Sequence, residues 1–336
     1  MSTATVEERY LTSYMARRQY ADAIQFPPEV PGVKDAIDIH CHAHEGQQDA
    51  LAVAKHASAN GMGGILYKTI VGRSRPAEAV RQVQQELQRW CDENQVEPIK
   101  TWAGWNIGSK LGDRATPEQM VEQIDDGVAA IWMPNNLHAN TFAKVGARPF
   151  WWDKSADPHY NTPPMSWDEA RRVGAHYLLD DHGKLAEDVQ EMFRIIADRN
   201  VAVVFGHATH PEIDAMAEQV QKLGIKKAVV DHPFSPFVDL SLDQMKRLTG
   251  AGIYMNFTYD EISPLLGVDP AIMCKTIQAL GTQYVTLSSD CGEPLFPNSV
   301  EGIRQLRAYM RAFGLTDEQV HQASVENPSK IVGLAN

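Results

Sequence analysis

Asp38-Ile39-His40-Cys41-His42 closes an apolar run that opens at Ala36, reading AIDIHCH. Two histidines two positions apart on a strand project from one face, as two ligands of one metal ion must. By the same alternation Asp38 shares that face. Cys41 points to the opposite face and reads as a small buried hydrophobe. Taken alone, the motif is equally a pair of buried, hydrogen-bonded core histidines.

Seven more short apolar runs follow, most of them separated by helical stretches. They are Gly64 to Lys68 (GILYK), Ile99 to Asn106 (IKTWAGWN), Ala129 to Pro134 (AAIWMP), Val201 to His207 (VAVVFGH), Lys227 to His232 (KAVVDH), Gly252 to Asn256 (GIYMN) and Tyr284 to Asp290 (YVTLSSD). Strands alternating with helices imply a parallel sheet, and eight strands close a barrel. The expected fold class is therefore α/β, a (β/α)₈ TIM barrel. Pro76 to Asn94 and Leu185 to Asn200 are amphipathic and belong to its outer ring. Residues 1–34 read as a helical extension that stops before Phe26-Pro27-Pro28, either a lid or an arm between copies of a homo-oligomer. Residues 35–336 form the barrel domain. Asn136 to Gly183, rich in Trp, Pro, His and Asp, is a long insertion after the fourth strand, as lids often are.

Lys68, Asn106, His207, His232 and Asp290 each stand where an apolar run stops. In a (β/α)₈ barrel such positions converge on one rim, where active sites are built. Competing roles stay open for several of them. Ser-Ser-Asp before Gly292 could make Asp290 a helix cap or an Asx turn. His210 lies three residues after His207, and one of the two could support the other. His232 precedes Pro233 and could be a loop histidine, while His44 reads as solvent- or substrate-facing.

A formal net charge of -12 over 336 residues, with no basic cluster, argues against nucleic acid and for a small-molecule substrate. No apolar run approaches a membrane span or a secretory signal, so a soluble cytoplasmic protein is expected. The four cysteines, Cys41, Cys91, Cys274 and Cys291, lack CxxC spacing and read as free thiols, Cys291 being placed to line the pocket.

The ordered set resembles the amidohydrolase superfamily, which carries an HxH pair on its first strand, histidines after the fifth and sixth, and an aspartate after the eighth. His40, His42, His207, His232 and Asp290 match those positions, over roughly Asp35 to the C-terminus. The stretches GILYK, IWMP, GKL and ENPSKIVGL look like an uncharacterised branch of that clan. The resemblance implies one or two divalent metal ions, Zn²⁺ first and Mn²⁺, Fe²⁺ or Ni²⁺ as alternatives. It implies hydrolysis of a small amide, ester or lactone by metal-activated water, with Asp290 as general acid and base. A metal-dependent decarboxylase or lyase, and a non-catalytic metal-binding subunit, are the rival readings.

Lys68 departs from the pattern. Binuclear members often carry a bridging carboxylated lysine or glutamate at the end of the fourth strand, but here that strand ends Trp132-Met133-Pro134-Asn135-Asn136. Lys68 could be carboxylated and become a metal ligand, could orient a substrate carboxylate as a cation, or could pair with a neighbouring acid. Arg73, Trp105, Asn135 and His210 are the candidate substrate-binding residues. Tryptophans 102, 105, 132, 151, 152 and 167 either wall the substrate or pack in barrel and lid.

Overall fold

The computed structural model describes residues 32–43, 48–70, 74–110, 112–134, 137–146, 163–292 and 296–334. The N-terminal extension, apart from its last few residues, and the middle of the long insertion lie outside these.

All eight expected strands form: β1 (Ile37–Ala43), β2 (Gly64–Ile70), β3 (Lys100–Asn106), β4 (Val128–Met133), β5 (Ala202–Phe205), β6 (Ala228–Asp231), β7 (Tyr254–Thr258) and β8 (Val285–Ser288). They pair in parallel in chain order, each with the next. The seam between β8 and β1 is closed just beyond β8. Asp290 N donates to His40 O at 2.8 Å, and His42 N donates to Cys291 O at 2.8 Å. Gly292 allows this approach, since a Cβ there would stand 1.8 Å from His42 O.

Two apolar layers result. Ile37, Ile39, Leu66, Trp132, Val204 and Val229 fill the barrel, joined by Ile331 from the last helix. Outside, Cys41, Ile65, Tyr67, Ala103, Ile131, Val203 and Val230 pack against the helices. The helix Pro76–Asn94 buries Ala77, Val80, Leu87 and Cys91, a spacing of three, seven and four that keeps one face inward. Capping boxes start the helices at Thr116, Thr209 and Ser241, fixing where each βα loop ends. All four cysteines are free and buried. Among the described residues no helix is long and apolar enough to cross a membrane.

Strict alternation fails in β1. Its register against β2 shifts between Asp38 and Cys41 and again before His42. Asp38 therefore does not share the histidine face. It accepts from Ser299 Oγ at 2.5 Å, at the start of the helix Ser299–Ala312, and also from Ser289 Oγ. The bulge sends Asp38 to the helix layer while letting both Ile39 and His40 face the barrel axis.

Gly104 shows how tightly the interior is filled. A Cβ there would lie 2.4 Å from Trp132 Cζ3 and 3.0 Å from Tyr67 O. Gly104→Ala should lower stability by about 1–3 kcal/mol, through displacement of Trp132 or its neighbours. Urea unfolding tests this, and a variant as stable as the parent would refute the packing around Trp132.

Candidate metal centre

The C-terminal rim of the barrel gathers the residues that end its strands. His40 Nε2 lies 3.0 Å from Asp290 Oδ1, and His42 Nε2 lies 3.1 Å from the same oxygen. The His40 ring stands 5.4 Å from that of His42 and 5.8 Å from that of His232, which is 5.3 Å from His207. The four imidazoles form a continuous arc.

His40 is completely buried, yet neither ring nitrogen meets hydrogen-bond geometry despite carboxylate oxygens 3.0 Å from each. Buried polar atoms ordinarily find aligned partners. Nitrogens close to a carboxylate but out of line with it suit co-ligands of one ion better than a hydrogen-bonded pair. His40, His42 and Asp290 offer ligand atoms all within 4.8 Å of one another, so the donor set fits a divalent metal. His232 and Asp290 also hold left-handed backbone, at φ 33° and 50°. Such strain in non-glycine residues concentrates at functional sites. Asp290 thus meets the histidines rather than capping a helix.

Three of the four histidines have a partner on the ring nitrogen away from the centre. Asp231 Oδ2 stands at His40 Nδ1 and also accepts from Trp132 Nε1 at 2.7 Å. Its Oδ1 accepts from Asn256 Nδ2 at 2.8 Å, and Asn256 Oδ1 accepts from Thr286 Oγ1 at 2.8 Å. With its oxygens engaged this way, Asp231 orients His40 and leaves Nε2 for the ion. On the other side of the arc, His207 Nδ1 pairs with Thr141 Oγ1 at 2.8 Å, and His232 Nδ1 with Ser235 Oγ at 2.9 Å. The His207 ring stacks on Phe237 at 4.2 Å.

Thr141 belongs to the insertion after β4. Its helix Ala139–Val145 is held by Asn140, whose Nδ2 donates to Phe237 O at 2.6 Å and to His207 O at 3.2 Å. It is also held by His138, whose Nε2 meets Glu212 Oε1 at 2.8 Å in a fully buried pair. Burial raises the Glu212 carboxyl, but His138 and Thr209 outweigh it and hold the group below its usual 4.5. A depressed carboxyl stabilises the fold above 4.5, and that stability is lost as pH falls through the folded-state value. Glu212→Gln should therefore cost about 1–3 kcal/mol at neutral pH, a deficit that closes below pH 4.5. Urea titrations of both proteins across pH check this, and a pH-independent deficit would contradict it.

Asp231→Ala removes a carboxylate that stands 3.0 Å from His40 Nδ1 and accepts from Trp132 and Asn256. It should weaken metal binding by about 10- to 100-fold and cost about 3–5 kcal/mol of stability. Metal titration followed by thermal melting measures both, and unchanged metal affinity would remove Asp231 from the centre.

Without metal the imidazoles differ sharply. Burial pushes His42 and His232 down to about 4, and Lys68 adds to the effect. His207 is also driven down by burial, reinforced by His232 and Lys68. Burial opposes protonation of His40 too, but Asp231 and Asp290 overcome it and lift this histidine to about 9. Burial raises Asp290, yet His40, His42 and Lys68 together hold its carboxyl well below the usual range. Three neutral imidazoles and one anionic carboxylate are ready as ligands, and His40 must give up a proton to join them.

Lys68 lies inside the rim, its charge felt by all four histidines and by Asp231 and Asp290. Other expectations need correcting. Trp105 packs against the outer core, because Gly104 and Trp102 take the inward positions of β3. It does not line the site. His210 is exposed, and its ring is engaged by Val238 O at 2.8 Å and Gln244 Nε2 at 3.1 Å, so it holds a loop away from the arc. Cys291 faces Gly302 of the helix layer rather than the pocket. Trp132 serves as a donor to Asp231, and Trp167 packs edge-on to Tyr177 in the insertion. Arg73, Asn135, His44, Trp151 and Trp152 lie outside the described residues. Sequence reasoning passed over Asp231, Thr141, Ser235, Asn256 and the buried Asp260, which follows β7. Burial and Asp290 push the Asp260 carboxyl well above its ordinary range.

The fold has solved counterparts. An amidohydrolase from Pseudomonas aeruginosa superimposes with a TM-score of 0.56 at 10% identity, over 89% of this chain and 95% of that one. A protein from Agrobacterium tumefaciens gives 0.54 at 12% identity, over 92% and 98%. A lactonase from Listeria monocytogenes gives 0.51 at 11%, over 90% and 96%. The chain thus shares the (β/α)₈ barrel fold of these proteins. No curated protein sequence matches the chain. A family model matches residues 35–256, from the opening of β1 into β7, and by that match the chain belongs to DUF6282, a family of unknown function.

Proposed function

We propose that this chain is a metal-dependent hydrolase acting on a small amide, ester or lactone. The observation that carries the reading is the convergence of His40 Nε2 and His42 Nε2 on Asp290 Oδ1, at 3.0 and 3.1 Å, inside the barrel rim. His207 and His232 complete the ligand set, and Zn²⁺ suits imidazole and carboxylate best, with Mn²⁺, Fe²⁺ and Ni²⁺ as alternatives. When bound, the ion supplies Lewis acidity, polarising a substrate carbonyl and making water a nucleophile at neutral pH.

The chain's own residues do the rest. Asp231, through Nδ1 of His40, keeps the Nε2 lone pair directed at the centre, and Thr141 and Ser235 do the same for His207 and His232. Asp290 accepts the proton from the attacking water on its carboxylate and returns it to the departing nitrogen or oxygen, so that the acyl–heteroatom bond breaks with the water oxygen in the new carboxyl group and the proton on the released heteroatom. Trp132 and the apolar interior below the arc exclude bulk water from that side.

Decarboxylation is the second reading, favoured by the buried cation Lys68 near the histidines. The test is elemental analysis of protein purified without added metal, followed by assay of amides, esters and lactones in H₂¹⁸O before and after chelation. One or two ions per chain, with ¹⁸O entering the product only when metal is present, is the expected result. CO₂ release without ¹⁸O uptake would favour the lyase, and failure to hold metal even after resupply would overturn both.

A further inference from the structure

Lys68 is the unassigned group within the rim. Its side chain is only 7% exposed, and it shares the inward face of β2 with Leu66, while Ile65 and Tyr67 face the helices. Among the described residues no carboxylate stands within ion-pair distance of its ammonium. An ammonium held out of water without a direct partner is costly. The nearby carboxylates are already committed, Asp231 to His40, Trp132 and Asn256, and Asp290 to His40 and His42.

The next strand adds a second unmet group. Asn106 ends β3, and its Nδ2 donates to Thr69 Oγ1 at 3.2 Å and to Lys68 O at 3.4 Å. Its Oδ1 is buried and, among the described residues, has no partner. Among the described residues, a cation without an ion pair and an acceptor without a donor thus stand on neighbouring strands at the rim that carries the histidines. Buried polar groups are rarely left unsatisfied. A ligand that satisfies both presents an anionic oxygen and, close to it, an N–H or O–H.

We propose that Lys68 and Asn106 form a carboxylate-recognition subsite, so that the substrate is a small carboxylate-bearing amide or lactone. This deepens the hydrolytic reading and rests on it. The anion pairs with Lys68 Nζ, and a substrate N–H or O–H donates to Asn106 Oδ1. A single ammonium suits a carboxylate monoanion, whereas a phosphate dianion calls for several donors. Asp231 and Asp290 balance a divalent ion between them, which leaves the charge of Lys68 for the substrate.

The test uses the metal-loaded full chain and calorimetric titration with N-acetylglycine, N-acetylalanine and N-acetylaspartate, each beside its neutral amide. At least one acid should bind about tenfold or more tighter than its amide, a gap that Lys68→Met abolishes and Lys68→Arg retains. Asn106→Ala should weaken acid and amide alike. Metal content and melting of each variant are measured in parallel, and Lys68→Gln replaces the Met variant if that one loses metal. Acids no better than amides in the parent protein, or a preference that survives loss of Lys68, would overturn the subsite. So would a carbamate resonance from ¹³C-bicarbonate that disappears with Lys68, which would make this residue a metal bridge. Failure of the parent chain to hold metal strikes the hydrolytic reading; normal metal content without acid preference strikes the subsite alone.

Discussion

Replacing His40 and His42 together by alanine is expected to leave a chain that holds no stoichiometric metal. The two imidazoles and Asp290 offer ligand atoms all within 4.8 Å of one another, and His40 also belongs to the second such group, with Asp231 and His232. Losing both imidazoles leaves His207, His232 and Asp290 without the pair that converges on the carboxylate oxygen, too few and too spread to keep the ion through dialysis. In the parent protein, metal uptake near pH 7.5 should also expel about one proton, because His40 without metal titrates near 9. The double variant removes that proton along with the ion. Elemental analysis after dialysis, with calorimetry in two buffers of different ionisation enthalpy, reads both effects. Full metal content in the double variant would sink the assignment of the centre.

Asp290→Asn is expected to retain most of the metal and lose turnover by about 10²- to 10⁴-fold, the usual worth of a positioned acid–base group. The amide keeps an oxygen at the histidines but cannot take a proton from water or return it to a leaving group. Its partner contacts at 3.0 and 3.1 Å to His40 and His42 make some loss of affinity unavoidable, so rates are compared at saturating metal. A rate equal to that of the parent would remove Asp290 as the proton carrier while leaving it a ligand.

The strands were legible because each is a short apolar run stopped by a polar residue, and in a barrel those stops are the rim. The four histidines of the rim were legible as strand ends for the same reason. What stayed hidden depends on face parity and on partners distant in sequence. Asp38 reads as sharing the histidine face until the β1 bulge leaves it pointing toward Ser299. Trp105 reads as a pocket wall until Gly104 fixes the inward face of β3, although a glycine within a strand does signal a close approach. Asp231 was signalled by its place at the end of a wholly apolar run, immediately before His232, yet its meaning lies in contacts to residues 40, 132 and 256. Thr141 and Ser235 are ordinary hydroxyls, recognisable only once His207 and His232 stand beside them.

The seam that closes the barrel runs through the centre itself. Asp290 and His40 are joined main chain to main chain, as are Cys291 and His42, so the spacing of that ligand group is set by the sheet. His232 is likewise tied to β7, its N donating to Asn256 O at 2.9 Å, whereas the ring of His207 is steadied by the hydroxyl of Thr141 in the insertion, which can swing on its own rotamers. The arc therefore has a stiff end and a compliant end. Ions of different radius should be accommodated by movement of His207, and metal selectivity should be tunable from that side without disturbing closure of the barrel.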